Sequence, residues 1–106
     1  MENMRFVYVT CPDTMSAEVI AQKVVEKKLA ACANIFPAMQ SVYMDKGKIV
    51  KSRETSMIIK TQAATFSALC DAITSNHPYD TPCILELPVL RGNAAYTSWM
   101  EEQLNS

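Results

Sequence analysis

The sequence predicts an α+β fold, a ferredoxin-like split β-α-β sandwich with an antiparallel sheet, an extended hairpin arm and a C-terminal helix. Three observations lead there. Strand and helix patterns follow one another as strand, helix, strand, strand, helix, strand, the order whose two right-handed crossovers put both helices on one face of a sheet. The two middle strand patterns are joined only by the short turn Asp45-Lys46-Gly47-Lys48, which makes them a hairpin. A length of 106 residues suffices for one core and not for two, so residues 1–106 are read as a single domain.

Each element has its own signal. Arg5 to Thr10 is β-branched and aromatic and is broken by Cys11-Pro12-Asp13, which predicts the first strand. Ser16 or Asp13 can cap a helix on which Ala17, Ile20, Ala21 and Val24 recur at helical spacing. That helix should end near Lys28, with Lys27 and Lys28 in a last turn that favours cations. Cys32 to Met44 reads as one long strand bent at Pro37, and the chain returns from the Gly47 turn through Ile49-Val50 to the run Glu54 to Lys60. Thr61 can cap a second helix, whose Phe66, Leu69, Cys70 and Ile73 make an i, i+3, i+4, i+7 stripe. Cys83 to Leu87 is a strand ended by Pro88. Asn93 can cap a last helix carrying Tyr96, Trp99 and Met100 on one side.

The strands are apolar on both faces: Phe6 and Tyr8 against Val7 and Val9, Met57 and Ile59 against Ile58, Ile84 against Leu85 and Leu87. Two helices cover one face, and the other is too apolar to meet water, so an oligomer with packed sheets is expected. Charges are mixed with a net of −1 and no block of Lys or Arg, and no apolar run nears the ~20 residues of a bilayer span. Neither nucleic acid nor a membrane is therefore an expected partner. Met1 to Arg5 lacks the basic and apolar regions of a signal peptide, which predicts a cytoplasmic location. In that reducing setting Cys11, Cys32, Cys70 and Cys83, which form no C-x-x-C pair, read as free and mostly buried filler rather than a zinc ribbon or redox motif.

The chemistry gathers in Ser75-Asn76-His77-Pro78-Tyr79-Asp80-Thr81-Pro82, where the single histidine sits among two prolines, a tyrosine and an aspartate. Two prolines four apart forbid a helix, so this must be an ordered connection. The topology brings the end of strand 1, the hairpin tip, the proline loop and the start of strand 4 to one sheet edge. Cys11, Asp13, Asp45, His77, Asp80 and Cys83 are expected to be neighbours there. Imidazole and thiolate suit copper, whereas a histidine alone can equally hold the turn by hydrogen bonds.

Five segments, Leu29-Ala30-Ala31-Cys32-Ala33, the Gly47 hairpin, Met57-Ile58-Ile59-Lys60-Thr61, His77-Pro78-Tyr79-Asp80-Thr81-Pro82 and Tyr96-Thr97-Ser98-Trp99, resemble the CutA divalent-cation tolerance proteins along almost the whole chain. The resemblance implies a ferredoxin-like homotrimer concerned with tolerance to copper and other divalent metals, without enzymatic activity. It implies copper ligands at a strand-1 cysteine and a histidine pair; here those positions read Val9 and Asn76, which leaves His77, with Cys11 on the same strand face as Val9 as the replacement thiol. A tryptophan of the family hairpin is Asp45. Glu54, Lys60, Tyr79 and Trp99 match positions facing a cleft between subunits.

Three functions compete. The first is a trimer binding copper(II) or another divalent cation at His77 and Cys11, with no metal required for folding. The second is a small-molecule sensor akin to PII signalling proteins, with an anionic ligand near Lys60. The third is a cysteine hydrolase using Cys11 and His77, ranked last because no third orienting residue is evident.

Overall fold

The computed structural model describes residues 3–106. Met1 and Glu2, the start of the stretch read for targeting features, lie outside the described residues. Strands β1 (Met4–Cys11), β2 (Cys32–Asp45), β3 (Lys48–Gln62) and β4 (Ile84–Pro88) form one antiparallel sheet in the order β2-β3-β1-β4. Helices α1 (Thr14–Glu26) and α2 (Phe66–Asn76) fill the crossovers, and α3 (Ala94–Asn105) ends the chain. This is the predicted split β-α-β arrangement. No helix among the described residues is long and apolar enough to cross a membrane.

Strand periodicity assigns the faces. Val7, Val9 and Cys11 of β1 and Met57 and Ile59 of β3 are fully buried against Ala17, Ile20 and Val24 of α1 and Leu69 and Ile73 of α2. On the opposite face α3 covers one end, where Met100 and Leu104 pack with Met4 and Ala31, and Phe6 and Val89 lie alongside. The remainder of that face is open: Leu85 is 57% exposed, Phe36 48% and Leu87 45%. An open apolar sheet face is what the strand pattern led one to expect.

The hairpin is set by its turn. Lys46 and Gly47 both have positive φ, 50° and 78°, the two-residue turn whose twist matches the flanking strands. At Gly47 the left-handed conformation is what glycine permits, and nothing lies within 4 Å of where a Cβ would stand. Near the other end of the arm, Pro37 and Ala38 oppose Thr55 alone, a bulge between the Phe36–Ser56 and Met39–Glu54 pairs, with Ala38 at φ 60°. Proline is tolerated where the ladder is already interrupted. Thr55 also faces Cys11 at the end of β1, so the bulge lies where the sheet narrows from four strands to the two of the arm.

Several sequence readings are corrected. Thr61 does not cap α2: it lies within β3, is fully buried, and its hydroxyl donates to Leu29 O at 2.8 Å, while a 3-10 turn (Ala63–Thr65) precedes the helix. Capping of α1 falls to Asp13, whose carboxylate accepts from Ser16 N at 2.8 Å; the backbone and side-chain hydrogen bonds from Ser16 hold its pKa below the usual aspartate range. Helix α1 stops at Glu26, so Lys27 is its C-cap and Lys28, at φ 59°, is past the last turn. Asn93 precedes α3 as expected, but its side chain caps nothing; its carbonyl accepts from Thr97 N.

Candidate metal centre

The proline loop is tied to the end of β1 by the His77 ring. Helix α2 ends at Asn76, and Pro78 forces His77 into an extended backbone, φ −91° and ψ 136°. Nδ1 of His77 accepts from Tyr79 N at 3.1 Å, so the proton is on Nε2 and is donated to Thr10 O at 2.8 Å. Cys11 Sγ lies 3.7 Å from the same Nε2. The Tyr79 ring stands 5.0 Å from the imidazole, and its hydroxyl donates to Glu54 at 2.8 Å. Burial, followed by this bond to Glu54, pushes the Tyr79 phenol up to about 12.

Cys11 is fully buried, and burial, reinforced by the nearby charges of Asp13 and Glu54, pushes its thiol up to about 11. A nucleophilic cysteine needs the opposite, a partly exposed and electropositive setting. The hydrolase reading therefore has no thiolate to work with. Under native conditions at neutral pH, Cys11 is expected to stay unlabelled by iodoacetamide while the unfolded chain labels fully; peptide mapping of the alkylated protein checks this. Labelling at the rate of a free model thiol would revive the nucleophile.

The expected gathering at the sheet edge is only partly realised. Cys11, His77 and the Asp13 cap share it, but Asp45 does not: from Thr55, opposite Cys11, back to Lys48, opposite Asp45, the arm runs seven residues, roughly 23 Å at the rise of a strand. Asp80 is exposed and Cys83 half-buried, and no cluster of three His, Cys, Asp or Glu able to hold a metal occurs among the described residues. Asn76, at the position of the missing histidine, is spent on structure: its amide nitrogen donates to Ala72 O and its oxygen accepts from Lys23 Nζ, tying α2 to α1.

The other expected residues lie in two separate places. Glu54 and Tyr79 meet beside Cys11, next to an open pocket of about 220 Å³ lined by Asp13, Thr14, Arg53 and Thr55. Lys60 lies six residues further along β3, where its ammonium donates to Tyr96 Oη at 3.0 Å and Trp99 stands 5.6 Å from the Tyr96 ring. The hydrogen bond to Tyr96 raises the Lys60 pKa and keeps it charged.

Residues 5–103 match the CutA1 divalent ion tolerance protein family. The chain belongs to that family. Human Protein CutA is 44% identical over 99 residues, 93% of this chain but 55% of the human protein, so the chain spans about half the length of that relative. The divalent-cation tolerance protein CutA of Archaeoglobus fulgidus is 42% identical over 97 residues, 92% of this chain and 94% of its own. The solved structure of the periplasmic divalent cation tolerance protein CutA from that organism superposes with a TM-score of 0.92 at 40% identity, covering 96% of this chain and 99% of the other. The divalent ion tolerance protein CutA1 of Ehrlichia chaffeensis superposes at 0.95 with 32% identity, covering 100% and 99%.

The sequence reading named His77, Cys11, Glu54, Tyr79, Lys60 and Trp99, and did not name as neighbours three residues that the structure places against them. Thr10 enters through its carbonyl, which no sequence pattern marks. Tyr96 was read as part of a packing stripe and of the Tyr96-Thr97-Ser98-Trp99 segment, not as a partner of Lys60. Cys32 was taken as filler, although its place opposite Lys60 follows once the bulge sets the register.

Proposed function

We propose that this chain works as a homotrimer in tolerance to divalent cations and takes copper(II) or a similar divalent ion at Cys11 and His77. The observation that carries the reading is the 3.7 Å approach of Cys11 Sγ to His77 Nε2, because thiol and imidazole are donor types that bind copper more strongly than carboxylates do. Binding there is an exchange: the cation must displace the thiol proton and the Nε2 proton now given to Thr10. No metal is required for folding, since the ring's two hydrogen bonds already hold the loop. Assembly is supported by the open face at Leu85, Leu87 and Phe36, and a cytoplasmic setting by four free cysteines.

Anaerobic calorimetric titration of the reduced protein with Cu(II) tests the reading. Wild type is expected to bind with defined stoichiometry and to release protons, seen as a dependence of the measured heat on the buffer's ionisation enthalpy. His77→Ala should weaken binding by roughly tenfold or more. Equal behaviour of the two proteins would remove the metal from this edge. It would turn attention to Lys60, whose ammonium has no carboxylate partner among the described residues and suits an anionic ligand in a cleft between subunits, the PII-like alternative.

A further inference from the structure

Cys32 stands at the start of β2 directly opposite Lys60 of β3, on the sheet face away from α1 and α2. Residues so paired have Cβ atoms about 5 Å apart. Tyr96 of α3 closes the cluster: its Oη is 3.6 Å from Cys32 Sγ and 3.0 Å from Lys60 Nζ. An ammonium only donates, so Tyr96 Oη accepts from Lys60, and between Tyr96 and Cys32 either the hydroxyl or the thiol can be the donor. The Lys60 charge lies over the rings of Phe6, at 5.6 Å, and Tyr96, at 5.0 Å, and no carboxylate pairs with it among the described residues. The other three cysteines lack such a setting. Cys11 is enclosed; Cys70 and Cys83 are half-buried, but neither sulfur has a hydrogen-bond donor among the described residues.

We propose that Cys32 is a peroxide-oxidisable thiol, that Tyr96 gives a proton to the departing oxygen, and that Lys60 is the positioning residue that holds the Tyr96 hydroxyl with its charge. The reaction is Cys32–SH + ROOH → Cys32–SOH + ROH, with an alkyl or hydrogen peroxide as oxidant. Sulfur gives an electron pair to the nearer peroxide oxygen, an S–O bond forms and the O–O bond breaks. Sulfur, its proton first lost to solvent, is oxidised and the peroxide reduced, and the leaving oxide takes a proton from the Tyr96 hydroxyl, whose phenolate the Lys60 ammonium stabilises until solvent returns the proton. The sulfenic acid then occupies the same corner, with an ammonium and a phenol to hold its oxygen. This site is independent of the metal proposed at Cys11 and His77, from which it is separated by the length of β1: Lys60 pairs with Phe6 and Cys11 with Thr55.

The test is carried out on the reduced, native oligomer treated with limiting hydrogen peroxide in the presence of dimedone, with peptide mapping to locate the adduct. Cys32 is expected to carry the first adduct, and Cys32→Ser to abolish it. Tyr96→Phe keeps the ring but removes the proton and is expected to slow the reaction on the order of tenfold, below the full benefit of a positioned proton donor. Lys60→Met should slow it similarly, and Lys60→Arg should restore most of the rate, which a merely structural role would not distinguish. Tyr96 is 36% exposed, so the variants should remain folded, with circular dichroism to verify it. A first adduct on Cys70 or Cys83, an adduct on Cys32 only after unfolding, or an unchanged rate in Tyr96→Phe would each overturn the proposal.

Discussion

Leu85→Asp combined with Leu87→Asp is expected to yield a folded monomer. Both side chains belong to β4 and stand on the open sheet face, paired with Tyr8 and Phe6 of β1. Neither packs in the helix-covered core, so the single chain loses only the half of each side chain that it already covers. In an assembly the account differs. Each leucine that is half exposed now would gain about 1–2 kcal/mol on being covered. An aspartate in its place would carry a charge into an apolar contact with no partner, at a cost of several kcal/mol. Because a closed ring repeats its interface, the penalty is paid at every junction. Light scattering coupled to size exclusion should therefore show the mass fall from that of the proposed trimer of 11.8 kDa chains to one chain. Circular dichroism should be unchanged. A mass that stays trimeric would mean that this face is not the interface.

The strand and helix order was legible because binary patterning carries it. Val7, Val9, Met57 and Ile59 are buried on the face that alternation assigned, and Ile20, Leu69 and Ile73 on the predicted helix stripes. What escaped depends on contacts between distant segments. Thr61 follows a strand and precedes a helical stripe, so a cap was the natural local reading; the carbonyl of Leu29, brought up by β2 pairing, competes for its hydroxyl and wins. The break at Pro37 was expected, yet the residue that turns left-handed is Ala38, which has no intrinsic preference for that conformation. Asp45 was placed at the site because connectivity brings the hairpin to that edge, but connectivity says nothing of how far the arm projects beyond it. The state of His77 was also beyond the sequence. Its type is compatible with metal binding or with turn locking, and only the positions of Tyr79 N and Thr10 O show both ring nitrogens engaged.

Leu69→Ala should produce the largest loss of stability of any single change considered. Its side chain is fully buried among residues of β1, β3, α1 and α2, and truncation there removes transfer energy and leaves a cavity that a packed sandwich cannot close. A loss of about 2–5 kcal/mol is expected, against a total of roughly 5–15 kcal/mol for a domain of this kind. The effect should reach the candidate metal centre, because α2 delivers Asn76 and His77 at its C-terminal end and is held to the sheet by Leu69 and Ile73. Loosening that helix loosens the ring that joins Tyr79 N to Thr10 O. Urea denaturation at a fixed chain concentration, needed because an oligomer's stability depends on it, measures the loss. Amide exchange at Tyr79 measures its spread, with Ser67→Ala on the exposed side of the same helix as the comparison. If stability falls by about 2 kcal/mol or more while Tyr79 stays protected, the proline loop is anchored by His77 alone. If both fall together, α2 packing and the site are one cooperative unit, and substitutions under the helix will alter the loop without touching a candidate ligand.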